Sequence, residues 1–244
     1  MILLIDSGNT RVKWRLVDLS GCVLERTSTL TVPQPFEPLR LHAGNIDRIL
    51  VSTVGSEQSR NSLEQALAGL TRVPVQFYWA EATRAGLQNS YQDVAKMGAD
   101  RWHGMVAAWL VHRRSFAVVD AGSAVTVDYV NGEGKHLGGY ILPGLQMMRR
   151  SLKLDAARIG FEYDEQIDAT PGRSTGQCAN HGLAWLTEGL VNKLHADSQR
   201  LGLSQILVTG GDAGRFLTLG LNAVHCPGLV LDGLEHIEKM ESRG

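Results

Sequence analysis

VVDAGSAV, residues 118–125, and LIDSGNTR, residues 4–11, decide how this chain is read. Each places two apolar residues before Asp-x-Gly and a small polar residue directly after the glycine. The two aspartates, Asp6 and Asp120, lie 114 positions apart. One Asp-Gly turn is common in proteins; the same phrase written twice raises the question of whether its surroundings repeat too.

Working outward from the first copy, Ile2 to Ile5 reads as a buried strand. Ser7-Gly8-Asn9 reads as a tight turn, since Gly and Asn tolerate positive φ. Val12, Trp14 and Leu16 alternate with Lys13 and Arg15, which predicts a half-buried second strand. Gly21 turns the chain again, and residues 22–30 form a third strand. Ile49-Leu50-Val51 predicts a strand ending at Ser52-Thr53. A helix over about 56–70 follows, with Leu63, Ala66, Leu67 and Leu70 on one face, and Val75 to Trp79 is another short strand.

The second copy runs in the same order. Phe116 to Val119 is a strand and Ala121-Gly122-Ser123 its turn. Val125, Val127 and Tyr129 then alternate with Thr126 and Asp128, Asn131-Gly132 turns the chain, and residues 135–142 return. Ile206-Leu207-Val208 ends in Thr209-Gly210-Gly211, with a helix from about 213. Self-similarity at one long spacing means duplicated domains rather than a solenoid. The expected division is 1–112 and 113–244, each half presenting its turn to a shared cleft. A turn rich in Gly and small polar residues exposes several backbone N–H groups and so forms a concave anion site. Neither turn is a Walker loop, for no GxxxxGK[ST] occurs.

Composition excludes several function classes. A net charge of −1 gives no bulk electrostatic pull toward nucleic acid or membrane, and no dense Lys/Arg run marks a local patch. Cys22, Cys178 and Cys226 are odd in number, without CxxC or metal-ligand spacing, and read as free thiols of a reducing compartment. His103, His112, His181 and His195 show no metal-binding spacing and read as surface or packing residues. The N-terminal apolar run stops at Asp6 with no basic residue before it, unlike a signal peptide. No uninterrupted apolar run approaches the ~20 residues needed to span a bilayer. The expected location is the cytoplasm.

With the repeat in view, the chain resembles the actin-like ATPase and sugar-kinase superfamily, an α/β fold whose two halves share a duplicated βββαβαβα core with the active site between them. Four segments, in order, resemble motifs of its type III pantothenate kinases. These are Asp6-Ser7-Gly8-Asn9-Thr10, Gly98-Ala99-Asp100-Arg101, Asp120-Ala121-Gly122-Ser123-Ala124, with Ser where Thr is usual, and Gly138-Gly139-Tyr140-Ile141-Leu142-Pro143-Gly144. The resemblance implies phosphorylation of pantothenate by ATP with Mg²⁺ and a monovalent cation (K⁺ or ammonium), in a homodimer.

That resemblance assigns roles residue by residue. Asp6 becomes a Mg²⁺ ligand, the hard oxygen donor this ion prefers; read alone, it is an Asp capping its own turn. Ser7, Gly8, Asn9, Thr10, Arg11, Val12 and Lys13 cradle the ATP phosphates, with Lys13 open to a second reading as a solvated edge charge. Asp100 is the general base that takes the substrate hydroxyl's proton; its place before the apolar face Trp102, Met105, Val106, Trp109 and Leu110 also suits a helix N-cap. Two Trp and a Met on that helix suit either a dimer surface or burial within the chain. Gly98, Ala99 and Arg101 bind pantothenate, Arg101 through its planar fork to the carboxylate. Tyr91 lines the same pocket or simply packs. Asp120 binds metal, either Mg²⁺ or, by the resemblance, the monovalent cation, and Ser123 holds phosphate. Thr175, exposed at a helix start, is either a cap or a contact to a partner subunit's pantothenate. Gly210-Gly211-Asp212 is expected near the adenosine.

Two other functions remain compatible with the sequence. One is a superfamily kinase for a sugar or short acid, which needs no Gly98–Arg101 segment. The other is a nucleotide-binding accessory factor in gene regulation, without turnover. The charge of −1 argues against direct DNA binding, and the presence of Asp6, Asp100 and Arg101 argues against a dead enzyme.

Overall fold

A computed structural model describes residues 1–29, 34–155 and 160–242. Strands β1 (Ile2–Ser7), β2 (Arg11–Asp18) and β3 (Gly21–Thr29) form an antiparallel meander. β4 (Arg48–Thr53) and β5 (Val75–Tyr78) join in parallel on the other side of β1, in the order β3-β2-β1-β4-β5. The expected third strand over 22–30 is β3, with residue 30 outside the described residues.

Two-residue alternation sorts this sheet into faces. Leu3, Ile5, Val12, Trp14, Leu16, Ile49 and Val51 pack with Phe36 and Leu39 against Leu63 and Leu67 of α1 (Glu57–Ala68). Ser56 caps α1, its hydroxyl accepting from the Ser59 N–H. Leu4, Val17 and Leu50 point to the opposite face. β4 reads as a continuous apolar run because both of its faces are buried. Beyond β5, a small hairpin of β6 (Thr83–Arg84) and β7 (Leu87–Gln88) leads to α2 (Ala99–His112).

The second half repeats the plan strand for strand. β8 (Phe116–Ala121), β9 (Ala124–Val130) and β10 (His136–Pro143) form the meander. After α3 (Leu145–Asp155) and α4 (Thr175–Arg200) come β11 (Gln205–Thr209), α5 (Ala213–Thr218) and β12 (Val224–His225). The order is β10-β9-β8-β11-β12, with β8, β11 and β12 parallel. Ala117, Val119, Val127, Tyr129, Ile206 and Val208 meet Val191, Leu194 and Phe216 in its core. β12, the two-residue counterpart of β5, and helix α3 carry no periodic signal strong enough to be expected from the sequence. α4 continues six residues past the expected end at Leu194.

The last helix, α6 (Leu229–Glu241), departs from the expected division at 112/113. Packing divides the chain into Met1–Val111 together with the stretch from Gly228 onward, and His112–Pro227. Leu231 and Leu234 of α6 are buried with Leu4, Val17 and Leu50. Its acidic side chains meet arginines of the first sheet: Arg15 Nη1 donates to Asp232 at 2.6 Å, and Arg48 Nη1 donates to Glu238 at 3.0 Å. Nothing in the repeat marks this tail, because Arg15 and Arg48 are 217 and 190 residues away from their partners in sequence. Among the described residues no helix is long and apolar enough to cross a membrane.

α6 crosses α2 at a glycine. A Cβ on Gly233 would lie 2.1 Å from the His103 carbonyl oxygen, a backbone atom with no room to give. Ala ordinarily stabilises a helix interior by about 0.8–1 kcal/mol over Gly. Gly233→Ala is expected to reverse that sign and cost about 1–3 kcal/mol by overpacking, measured by urea unfolding.

Candidate active site

The parallel strands β1 and β4 end at the same level, with Asp6 paired to Ser52 and Ser7 to Thr53. The Ser7 carbonyl accepts from Thr53 Oγ1 at 3.0 Å and from the Val54 N–H at 3.4 Å. Carboxyl ends of parallel strands are where α/β sheets bind ligands. Asp6 is half-buried here, on the sheet face it shares with Leu4 and Ser52.

The first turn differs from the expected one. Neither Gly8 nor Asn9 is among the residues with positive φ; the turn is closed instead by the Gly8 N–H donating to Arg11 O at 3.0 Å. Asn9, Thr10 and Arg11 are exposed, whereas the Val12 side chain is wholly buried in the core, leaving only its backbone for a ligand. Lys13 is no edge charge: β2 lies between β1 and β3, and Lys13 pairs directly with Asp6.

Asp100 reaches the same strand ends. It is the second residue of α2 rather than its cap, and its carboxylate accepts from the Arg101 N–H at 2.7 Å. Gly98 makes this fit. A Cβ there would stand 2.7 Å from Asp100 Oδ1 and 3.4 Å from Val54 Cγ1, just past the end of β4. Glycine in the GxDR segment therefore lets the helix start, with its carboxylate, close on the strand ends next to Asp6. Arg101 is buried, and its Nη1 donates to Tyr91 Oη at 2.6 Å with the guanidinium 5.5 Å from the Tyr91 ring centre. Asn89 orients that tyrosine by accepting from its backbone N–H at 3.0 Å. Asp6, Tyr91, Gly98, Ala99, Asp100 and Arg101 thus belong to one compact unit.

Ser52 and Thr53 were legible in the sequence only as strand-end residues, and Asn89 was not singled out. His103 was read as surface or packing, and it is fully buried on α2, with Nδ1 2.7 Å from Ser52 Oγ. Trp102, Met105 and Trp109 are buried within the chain as well, the second of the two readings open for those residues.

In the second unit, Asp120 holds the place of Asp6, paired with Thr126 and Thr209. Its turn is closed by the Gly122 N–H donating to Ala124 O at 3.0 Å. Two glycines press on it. A Cβ on Gly144 would lie 2.3 Å from Ser123 O. One on Gly210, whose φ is +93, would lie 2.4 Å from the Ala121 backbone and 2.5 Å from Asp120 Oδ1. Gly210, expected from the sequence to let a ligand approach, serves close packing on β8. Thr175 is exposed at the first position of α4; the cap is Ser174, whose hydroxyl accepts from the Gln177 N–H. Among the described residues no cluster of three or more His, Cys, Asp or Glu side chains is arranged to hold a metal.

Residues 2–197 match the family described as type III pantothenate kinase. The type III pantothenate kinase of Marinobacter nauticus is 62% identical over 237 residues, covering 97% of this chain and 98% of that protein. Among solved structures, one described as a Baf family transcriptional activator from Campylobacter jejuni aligns with a TM-score of 0.62 at 19% identity, over 99% of this chain and 100% of its own. A 2-dehydro-3-deoxygalactonokinase structure from Sinorhizobium meliloti aligns at 0.60 and 14% identity, over 99% of both chains. At such identities the two structures speak to the fold alone. Twin five-stranded sheets of one order, each with an Asp-x-Gly turn after its first strand, define the actin-like ATPase and sugar-kinase class. Within that class, the chain belongs to the type III pantothenate kinase family.

Burial pushes the His103 imidazole down to about 3, with the nearby Arg84 charge adding to the effect. Below the unfolded value of 6.5 the unfolded chain binds a proton that the folded chain refuses. Stability is therefore lost as pH falls from about 6.5 toward 3, by at most about 1.4 kcal/mol per pH unit. In His103→Leu this component disappears, and the fall in unfolding free energy on the acid side becomes shallower than in the parent.

Proposed function

We propose that this chain transfers the γ-phosphoryl group of ATP to pantothenate, giving 4'-phosphopantothenate in the first step of coenzyme A biosynthesis. What supports the reading is Asp6 at the end of β1, the start of α2 with Asp100 packed through Gly98 on Val54 just past the neighbouring strand end, and buried Arg101 bonded to Tyr91.

In this reading Asp100 accepts the proton of the primary hydroxyl, whose oxygen bonds to the γ-phosphorus as the bond to the ADP oxygen breaks. The Arg101 N–H that Asp100 accepts holds its carboxylate in one orientation. Arg101 and Tyr91 meet the pantothenate carboxylate, and Gly98 and Ala99 bound its pocket. The backbone from Ser7 to Lys13, with the side chains of Asn9 and Thr10, holds phosphate oxygens, and Ser123 adds a hydroxyl and an N–H. Asp6 would hold Mg²⁺, which supplies charge neutralisation on the transferred group. Asp120 would hold the monovalent cation. A homodimer, with Thr175 reaching the partner's substrate, is supported by the exposure of Trp185 and Leu186 on the same helix, α4. A cytoplasmic location follows from the substrate's pathway.

A positioned general base contributes ~10²–10⁴-fold. Asp100→Asn is therefore expected to lower kcat by about that factor while thermal unfolding stays that of the parent. Turnover is measured by coupled ADP release with pantothenate, with and without K⁺, and K⁺ is expected to raise it. ATP binding without any phosphorylation of pantothenate would instead favour the regulatory accessory reading; turnover of a sugar in its place would favour a different kinase of the class.

A further inference from the structure

His103 is the buried titratable group that the reaction above leaves without a task. It is fully buried, one helical turn after Asp100, so the two residues share a face of α2. Its Nδ1 lies 2.7 Å from the hydroxyl of Ser52, itself fully buried and the direct pairing neighbour of Asp6. Its Nε2 is buried without a hydrogen-bond partner among the described residues. A leucine or phenylalanine would fill the space and remove the unsatisfied Nε2, but would break the bond to the buried Ser52 hydroxyl, so it is that bond, and not packing alone, that accounts for histidine. Gly233 brings α6 onto the backbone of this one residue, where any side chain would collide with the His103 carbonyl.

We propose that His103 is a positioning residue for phosphoryl transfer, its bond to Ser52 fixing the first turn of α2, and Asp100 with it, against the end of β4, where Ser52 pairs with Asp6 of β1. The proposal rests on the kinase reading above. His103 touches neither substrate nor reacting atoms. Its imidazole is neutral throughout the neutral pH range, since burial holds it down to about 3, so it carries no proton in the reaction. What it supplies is a spacer of fixed length between the helix that carries one carboxylate and β4, the strand paired in register with the one that carries the other. Small misplacements of reacting groups cost rate far more than they cost binding.

The test uses His103→Leu, Ser52→Ala, the double variant and His103→Asn, whose side-chain amide can take the place of Nδ1. In the first two, kcat with pantothenate is expected to fall roughly tenfold to hundredfold, with the KM for ATP within about twofold of the parent. The double variant should be no slower than the slower single variant, since both remove one bond. His103→Asn should recover most of kcat and keep the parent's pH profile. Amide hydrogen exchange at Asp100 and Arg101 should quicken in His103→Leu and return in His103→Asn. An undiminished kcat in a folded His103→Leu, or losses that follow melting temperature across all four variants, overturns the proposal. If His103→Leu does not fold, Ser52→Ala decides by the same measures. If the parent phosphorylates no pantothenate, the kinase reading fails, and exchange alone decides: quickening confined to the first turn of α2 upholds the coupling, and its absence ends it.

Discussion

The parallel pairing of β1 with β4 is the constraint on which the first unit depends. It brings two strands to an end together and leaves polar residues where the apolar runs stop: Asp6 and Ser7 on one, Ser52 and Thr53 on the other. A buried strand end must satisfy its backbone, and here Thr53 and Val54 do so by donating to the Ser7 carbonyl. The same step in the chain places Val54 against Gly98, and hence the start of α2 beside the strand ends. Asp100 is located by this succession of contacts, not by the motif that contains it.

The duplicated half keeps the scaffold and changes the ends. Asp6 is flanked by Lys13 and Ser52, and Asp120 by Thr126 and Thr209. Four residues bridge the paired Ser7 and Val12, but only three bridge Ala121 and Val125, so the first turn is the longer loop with more exposed side chains. The shorter second turn is braced by Gly144 and Gly210, whose missing side chains let other backbone segments touch it. One architecture thus carries a cationic, open turn in one copy and a hydroxyl-lined, tightly packed turn in the other.

α6 shows how a segment without any motif enters the site's support. Its ion pairs with Arg15 and Arg48 are partly exposed, and such pairs contribute little each, about 0–1 kcal/mol. Burial of Leu231 and Leu234 contributes more, at about 1.5–3 kcal/mol for each side chain fully removed from water. The charges mainly set which face of α6 turns inward and at what register. That register puts Gly233, the residue with no side chain, over the backbone of α2.

The succession of three strands and a later strand in each half followed from the sequence, because each strand's alternation and each Asp-x-Gly turn are local signals that a repeat makes visible twice. Asp6, Asp100, Arg101 and Asp120 were legible for the same reason, as short motifs resembling a known family. What tertiary structure alone decided was non-local. Lys13, open in the sequence to a reading as an edge charge, pairs with Asp6 on a strand that lies between β1 and β3. Gly98 and Gly210 proved to be places of close approach to other segments. The helix after Gly228 went to the first sheet, and His103 met Ser52 across 51 positions of chain. Such contacts depend on which surfaces are brought together after the strands form, and no periodicity within a single segment encodes its distant neighbour.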